Sequence, residues 1–150
     1  MNILIALDDS KFSEAAANAL IAQVKTNDTE VHLLHVLEAF PVAMAEKMGS
    51  KDFPDFSGAR QALRDQAREL LTKAAEKFRT AGFKTTTHLV EEDDARDVVL
   101  DHAERWPADV IVVGSHGRKG INRILMGSVS EAVVRHARCS VEIVRNRSDH

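Results

Sequence analysis

One cysteine, Cys139, stands in the whole 150-residue chain, so an intrachain disulfide is excluded. A lone thiol suits a reducing compartment. No apolar run reaches the roughly 18 residues that a transmembrane helix needs. No basic segment with a cleavage site opens the chain; Met1 runs straight into strand-like residues. These absences lead to the expectation of a cytoplasmic protein without a membrane partner. Six phenylalanines and one tryptophan are scattered and offer no aromatic platform for bases. The formal net charge is −3, whereas nucleic-acid binders are usually strongly basic, so no nucleic-acid partner is expected. Internal repeats and low-complexity tracts are lacking too.

What is present is a regular alternation of strand-like and helix-like segments. At this length a single domain, residues 1–150, buries a core without staples. Asn2-Ile3-Leu4-Ile5-Ala6-Leu7 reads as a short apolar run, as in a central parallel strand covered on both faces. It ends at Asp8-Asp9-Ser10, where Ser10 is placed to cap a helix that buries Phe12, Ala16, Ala19, Leu20 and Val24. Glu30 to Val36 reads as a second strand. An irregular excursion follows, from about Glu38 to Gly58, expected to be partly helical around Ala43 to Met48 or else a flap. Ala59 to Ala81 is the clearest helix, with Gly82 as its stop. Phe83 to Val90 reads as a polar edge strand. A helix from Ala95 to Trp106, capped by Asp93 or Asp94, leads to a strand at Asp109 to Val113. A last helix and a last strand, Ser140 to Arg145, close the chain. Alternation of this kind predicts an α/β fold, an open doubly wound five-stranded parallel sheet with helices on both faces. Ligands bind such sheets at the carboxyl ends of the strands, where strand order reverses. The tips of the first strand, at Asp8, and the fourth, at Gly114, are the candidates to flank that crevice.

The densest signal is the stretch from Gly114 to Ser130. Its spacing is Gly114, two residues, Gly117, nine residues, Gly127, then Ser128. No P-loop pattern of Gly-x4-Gly-Lys-Ser/Thr occurs. The dinucleotide fingerprint does not fit either, because its glycines all sit in the first turn of one helix. The ten-residue separation instead leaves a loop that arches over a ligand and returns. Ser128 and Glu131 match a capping box, with Ser128 as N-cap. Exposed helix N–H groups, with Arg118, Lys119 and Arg123 nearby, point to phosphate. The bland alternative is a shaped turn and a capped helix.

The Gly-Ser-His-Gly-Arg and Leu-Met-Gly-Ser-Val-Ser-Glu segments, with the opening Ile-Leu-Ile-Ala-Leu-Asp-Asp-Ser and with Leu-Leu-His-Val, resemble the universal stress protein family. The resemblance spans essentially the whole chain, and the glycine motif is that of the ATP-binding members. It implies strand order 3-2-1-4-5. It places Asp8, with Ala6 and Leu7 beside it, near ribose and phosphates, and Val36 against the adenine edge. Gly114, Ser115, His116, Gly117 and Arg118 would line the ribose and phosphate path. Gly127, Ser128, Val129 and Ser130 would hold the phosphates, with Mg²⁺ or Mn²⁺ at Asp8. It also implies a homodimer through the last strand, at Val141 and Ile143. Asp9 replaces the usual glycine, and Arg138 and Ser140 replace the usual prolines. The functional expectation is an ATP-dependent sensor or regulator of the stress response rather than an enzyme. A slow metal-dependent ATPase and a nucleotide-free dimeric module are the rivals.

Other chemistry-bearing residues receive plainer readings. His32 and His35 are three apart in a strand and face opposite sides, so they are not expected to form a metal pair. His116 is read as packed or solvated. Cys139 is read as a lone buried or half-buried thiol, although Arg135, His136 and Arg138 nearby could lower its pKa.

Overall fold

A computed structural model describes residues 1–38, 56–92, 94–117 and 126–146. Five parallel strands are present: β1 (Asn2–Ala6), β2 (Glu30–Glu38), β3 (Lys84–Glu92), β4 (Val110–Gly114) and β5 (Ser140–Val144). They lie in the order β3-β2-β1-β4-β5, the order that the resemblance implies. Four helices connect them among the described residues: α1 (Lys11–Gln23), α2 (Phe56–Thr80), α3 (Ala95–Arg105) and α4 (Ser128–His136). None of these helices is long and apolar enough to cross a membrane. The excursion expected to be partly helical around Ala43 to Met48 lies outside the described residues.

The central strands are apolar on both faces because helices cover both. Ile3, Ile5, Val31, Leu33 and Val112 pack with Leu20 of α1 and Leu71 and Phe78 of α2. Leu4, Leu34, Ile111 and Val113 point the other way, toward Val99 and Ala103 of α3 and Val133 of α4. The period-two alternation of each strand thus divides one sheet between two cores. β3 lies at an edge, as its polar sequence predicts, and β5 forms the other.

Local chemistry fixes the helix ends. Ser10 caps α1, its hydroxyl accepting from Ser13 N–H. The buried face of α1 is Ser13, Ala16, Ala17 and Leu20, so Ser13 and Ala17 take the places expected of Phe12 and Ala19. α2 begins at Phe56, three residues before the expected start, and ends in a Schellman motif. Gly82, at φ 95, donates to Arg79 O at 2.9 Å, and Phe83 N–H reaches Phe78 O at 3.0 Å. The Phe78 and Phe83 rings close that turn edge-on at 5.7 Å. Asp94 caps α3 by accepting from Arg96 N–H; Asp93 is outside the described residues.

Candidate functional site

The register opens a crevice at the carboxyl end of β1. The pairing of β1 with β2 stops at Ala6 and Leu34, while β2 runs on beside β3 to Glu38. Val36 therefore overhangs the end of β1 on one side. On the other side stands the end of β4, at Gly114. Ala6, Leu7 and Asp8 form the floor between them. The order of strands reverses here, with β2 and β4 on either side of β1.

The floor is fixed from both directions. Leu7 N–H donates to Leu34 O at 2.8 Å, and Leu7 O accepts from His35 Nδ1 at 2.7 Å. Asp8 is clipped to α1. Its N–H donates to Ser13 Oγ at 2.9 Å, and its Oδ1 accepts from both the N–H and the hydroxyl of Ser10. The other carboxylate oxygen faces Gly117, where an added Cβ would stand 3.0 Å from it.

The glycine stretch closes against this floor by contact. A Cβ on Gly114 would lie 2.7–2.9 Å from the backbone and Cβ of Phe12, so only glycine lets β4 end beneath α1. A Cβ on Gly127 would meet His116 Cα at 3.2 Å and Gly117 N at 3.4 Å. Gly127 N–H donates to Ser115 O at 2.9 Å, and the Ser130 hydroxyl donates to Gly114 O at 2.7 Å. Two bonds thus hold the start of α4 against the end of β4. Ser130 is 3% exposed and its one hydroxyl proton is already committed. His116 packs on Phe12 at 4.9 Å, and its Nδ1 meets Ser115 Oγ at 3.1 Å. Its Nε2 is buried with no hydrogen-bond partner. Arg118, Lys119 and Arg123 lie outside the described residues.

The capping box expected at Ser128 does not form. Gly127 is the cap residue and makes no side-chain cap hydrogen bond; Ser128 is already helical, and Glu131 turns outward to Arg135 at 2.9 Å. The first intrahelical bond runs from Glu131 N–H to Gly127 O. The N–H groups of Ser128, Val129 and Ser130 thus have no acceptor within the helix. They carry the positive end of the helix dipole toward the crevice.

The sequence matches the universal stress protein family over residues 1–145. The chain belongs to that family. A universal stress protein of Methanocaldococcus jannaschii is 33% identical over 143 residues, which cover 95% of this chain and 81% of the relative. Among solved structures, an Arabidopsis thaliana family member with AMP bound superposes with a TM-score of 0.73 at 23% identity, covering 99% of this chain and 94% of that one. A universal stress protein from Archaeoglobus fulgidus in complex with dAMP gives 0.65 at 22%, covering 96% and 97%.

Some features escape a reading of the sequence alone. Ser10, Ser13, Phe12 and His35 shape the site without belonging to its glycine pattern. Ser10 was visible as a cap, but not as the partner of Asp8. His32 and His35 do face opposite sides: His35 supports the crevice floor, and His32 meets His88 and His102 elsewhere. Burial, with His88 and then His102 adding like charge, lowers His32 to about 4. Burial likewise lowers His102. Cys139 is half-buried, and burial raises its thiol rather than activating it. The basic neighbours are engaged, Arg138 with Glu104 at 3.2 Å and Arg135 with Glu131.

Proposed function

We propose that the crevice binds an adenine nucleotide, ATP foremost, and that the protein acts as a nucleotide-dependent sensor or regulator in the stress response. The observation that carries this reading is the bare N-terminus of α4, with three N–H groups lacking an intrahelical acceptor, held against the end of β4 near Asp8. In this reading Gly127, Ser128 and Val129 offer backbone donors to the phosphates, and Ser130 fixes their direction. Charge-assisted hydrogen bonds contribute roughly 1.5–3 kcal/mol each, so several hold a polyphosphate without one dominant residue. Gly114, Ser115, His116 and Gly117 border the ribose side. The overhanging backbone at Val36 meets the adenine edge, and Ala6 and Leu7 support it from below. The orphaned Nε2 of His116 is a further polar group for a ligand to satisfy. The AMP and dAMP complexes of the two structural neighbours agree with an adenine ligand.

Asp8 suits Mg²⁺ or Mn²⁺, which commonly bind through one or two carboxylates together with substrate phosphates. The ion would neutralise phosphate charge there. The Asp8 carboxylate, presented beside Gly117, also favours a second reading, slow metal-dependent ATP hydrolysis.

Mass spectrometry of the gently purified protein tests the ligand class by identifying the co-purifying nucleotide. Mg-ATP at about 100 times Kd adds about 2.7 kcal/mol of stability. An unchanged melting temperature in millimolar Mg-ATP defeats the binding claim. Phosphate release that Asp8→Asn abolishes while binding persists selects the ATPase reading. Hydrogen exchange at Ser115–Gly117 and Met126–Ser130 that ATP leaves untouched removes the sensor.

A further inference from the structure

Three histidines meet on the face of the sheet that α3 covers, among β2, β3 and α3. His32 belongs to β2, His88 to β3 and His102 to α3. One ring nitrogen from each lies within 4.8 Å of the other two. His32 Nε2 and His102 Nε2 are 3.0 Å apart. The His32 and His88 rings stack with centroids 4.1 Å apart, and His102 stands edge-on to both. Trp106 packs against His32 at 4.6 Å. His32 is buried, His102 half-buried and His88 exposed, so the cluster opens to solvent on one side.

The convergence follows from periodicity. His32 pairs with Thr86 and Leu34 with His88, so His32 and His88 are diagonal neighbours on one face of the sheet. His102 on α3 and Trp106, the C-cap residue four positions on, lie on the side of that helix that covers it.

We propose that His32, His88 and His102 form a site for a divalent transition-metal ion of the zinc type, with three imidazole ligands and a fourth position open to solvent beside His88. Imidazole suits zinc, copper and nickel, whereas Mg²⁺ and Ca²⁺ take oxygen ligands. Zn–N bonds of about 2.0–2.1 Å in a tetrahedral site put ligand nitrogens roughly 3.3 Å apart. The His32–His102 pair is already at 3.0 Å. His88 is exposed, so its ring can turn inward without moving the sheet.

A direct imidazole–imidazole hydrogen bond accounts for that short contact alone. It accounts for neither the third histidine nor two orphans: His32 Nδ1 and Thr86 Oγ1 are buried with no hydrogen-bond partner. Metal-bound imidazoles usually donate their other N–H to an oxygen, which fixes the ring. Thr86 is the register partner of His32, and its hydroxyl makes no hydrogen bond to that ring in this structure.

Trp106 is the only tryptophan in the chain, so its emission reports on this cluster. Untagged protein, stripped with a chelator and then freed of it, is titrated with Co²⁺, Zn²⁺ and Mg²⁺. Co²⁺ quenches Trp106 at one ion per chain and develops the visible absorption of a tetrahedral centre. Zn²⁺ reverses both and raises the melting temperature, and Mg²⁺ does neither. His88→Ala, a change at an exposed position, weakens Co²⁺ binding by roughly tenfold or more, and His102→Gln does the same. Cys139→Ser and His136→Ala leave it unchanged. Absence of quenching, several ions per chain, or undiminished affinity in both histidine variants overturns the site.

Discussion

Gly114 and Gly127 are both required to be small, but for different reasons. At Gly114 the obstacle is the backbone of Phe12 at 2.7–2.8 Å, which cannot yield without shifting α1. Gly114→Ala is expected to destabilise the fold by about 1–3 kcal/mol, measured by urea denaturation. At Gly127 the obstacles are His116 Cα and Gly117 N at 3.2–3.4 Å, part of the proposed ligand wall itself. Gly127→Val is expected to abolish nucleotide binding by calorimetry while the urea midpoint moves little. A Gly127→Val protein that still binds Mg-ATP would remove the proposed phosphate site. Ser130→Ala deletes the bond to Gly114 O and is expected to cost about 1 kcal/mol of stability, because it leaves a half-buried carbonyl without that donor. Spacing was enough to locate these glycines. It could not say which one guards the fold and which the ligand, because that depends on what lies within 4 Å of each.

Among the elements, helix ends were the most legible. Ser10 and Gly82 are identifiable as cap and stop, and the α3 cap as Asp93 or Asp94, because each acts on atoms a few residues away. Asp94→Ala is expected to lower stability by about 1 kcal/mol, seen as an earlier urea transition. The side chain and N–H of Arg96 hold the Asp94 carboxyl at about 2, below its ordinary 3.8. Its contribution is therefore full above pH 3.8 and fades as pH falls toward 2. The start of α4 differs from the capping box at Ser128 for a physical reason. Gly127 takes the extended cap conformation, φ −64 and ψ 152, and so moves Ser128 into the helix. A sequence pattern cannot distinguish a capping serine from a first-turn serine one residue later. The His32–His88–His102 convergence was illegible for another reason. It needs the register of β2 on β3 and the packing of α3 on both, and neither is local.

Across the whole molecule, strand order and the two-faced core were readable because alternation of apolar strands with amphipathic helices admits few arrangements. The same two faces set the response to acid. His32 sits against His88 of β3, His102 of α3 and Trp106 at the end of α3, with Glu30 opposing the downward shift. Asp101 and Arg105 act on His102 in opposite senses. In the presence of chelator, the unfolded chain takes up a proton on His32 between pH 6.5 and about 4 that the folded chain refuses. His32 thus supports the fold fully above pH 6.5, and that support is lost as pH falls to 4. The loss is on the order of 3 kcal/mol. Urea midpoints that stay level across this range in chelator would contradict the assigned burial. At the far edge lies β5, the strand through which the family resemblance implies a homodimer. Val141 and Ile143 themselves pack inward on the core of Ile111, Val113 and Val133, so an edge pairing there would run through the β5 backbone, and a single species at the monomer mass in sedimentation velocity would remove it.

Ser10 has a consequence for how such a sequence can drift. Its hydroxyl accepts from Ser13 N–H, which caps α1, and donates to the Asp8 carboxylate, which orients the crevice floor. One oxygen therefore answers to two selective demands at once. Under mutational scanning, a screen for abundance and a screen for ligand capture are expected to reject nearly the same replacements at Ser10. At Gly127 the two screens are expected to diverge. Duplicated copies that lose their ligand should therefore relax at Gly127 long before they relax at Ser10.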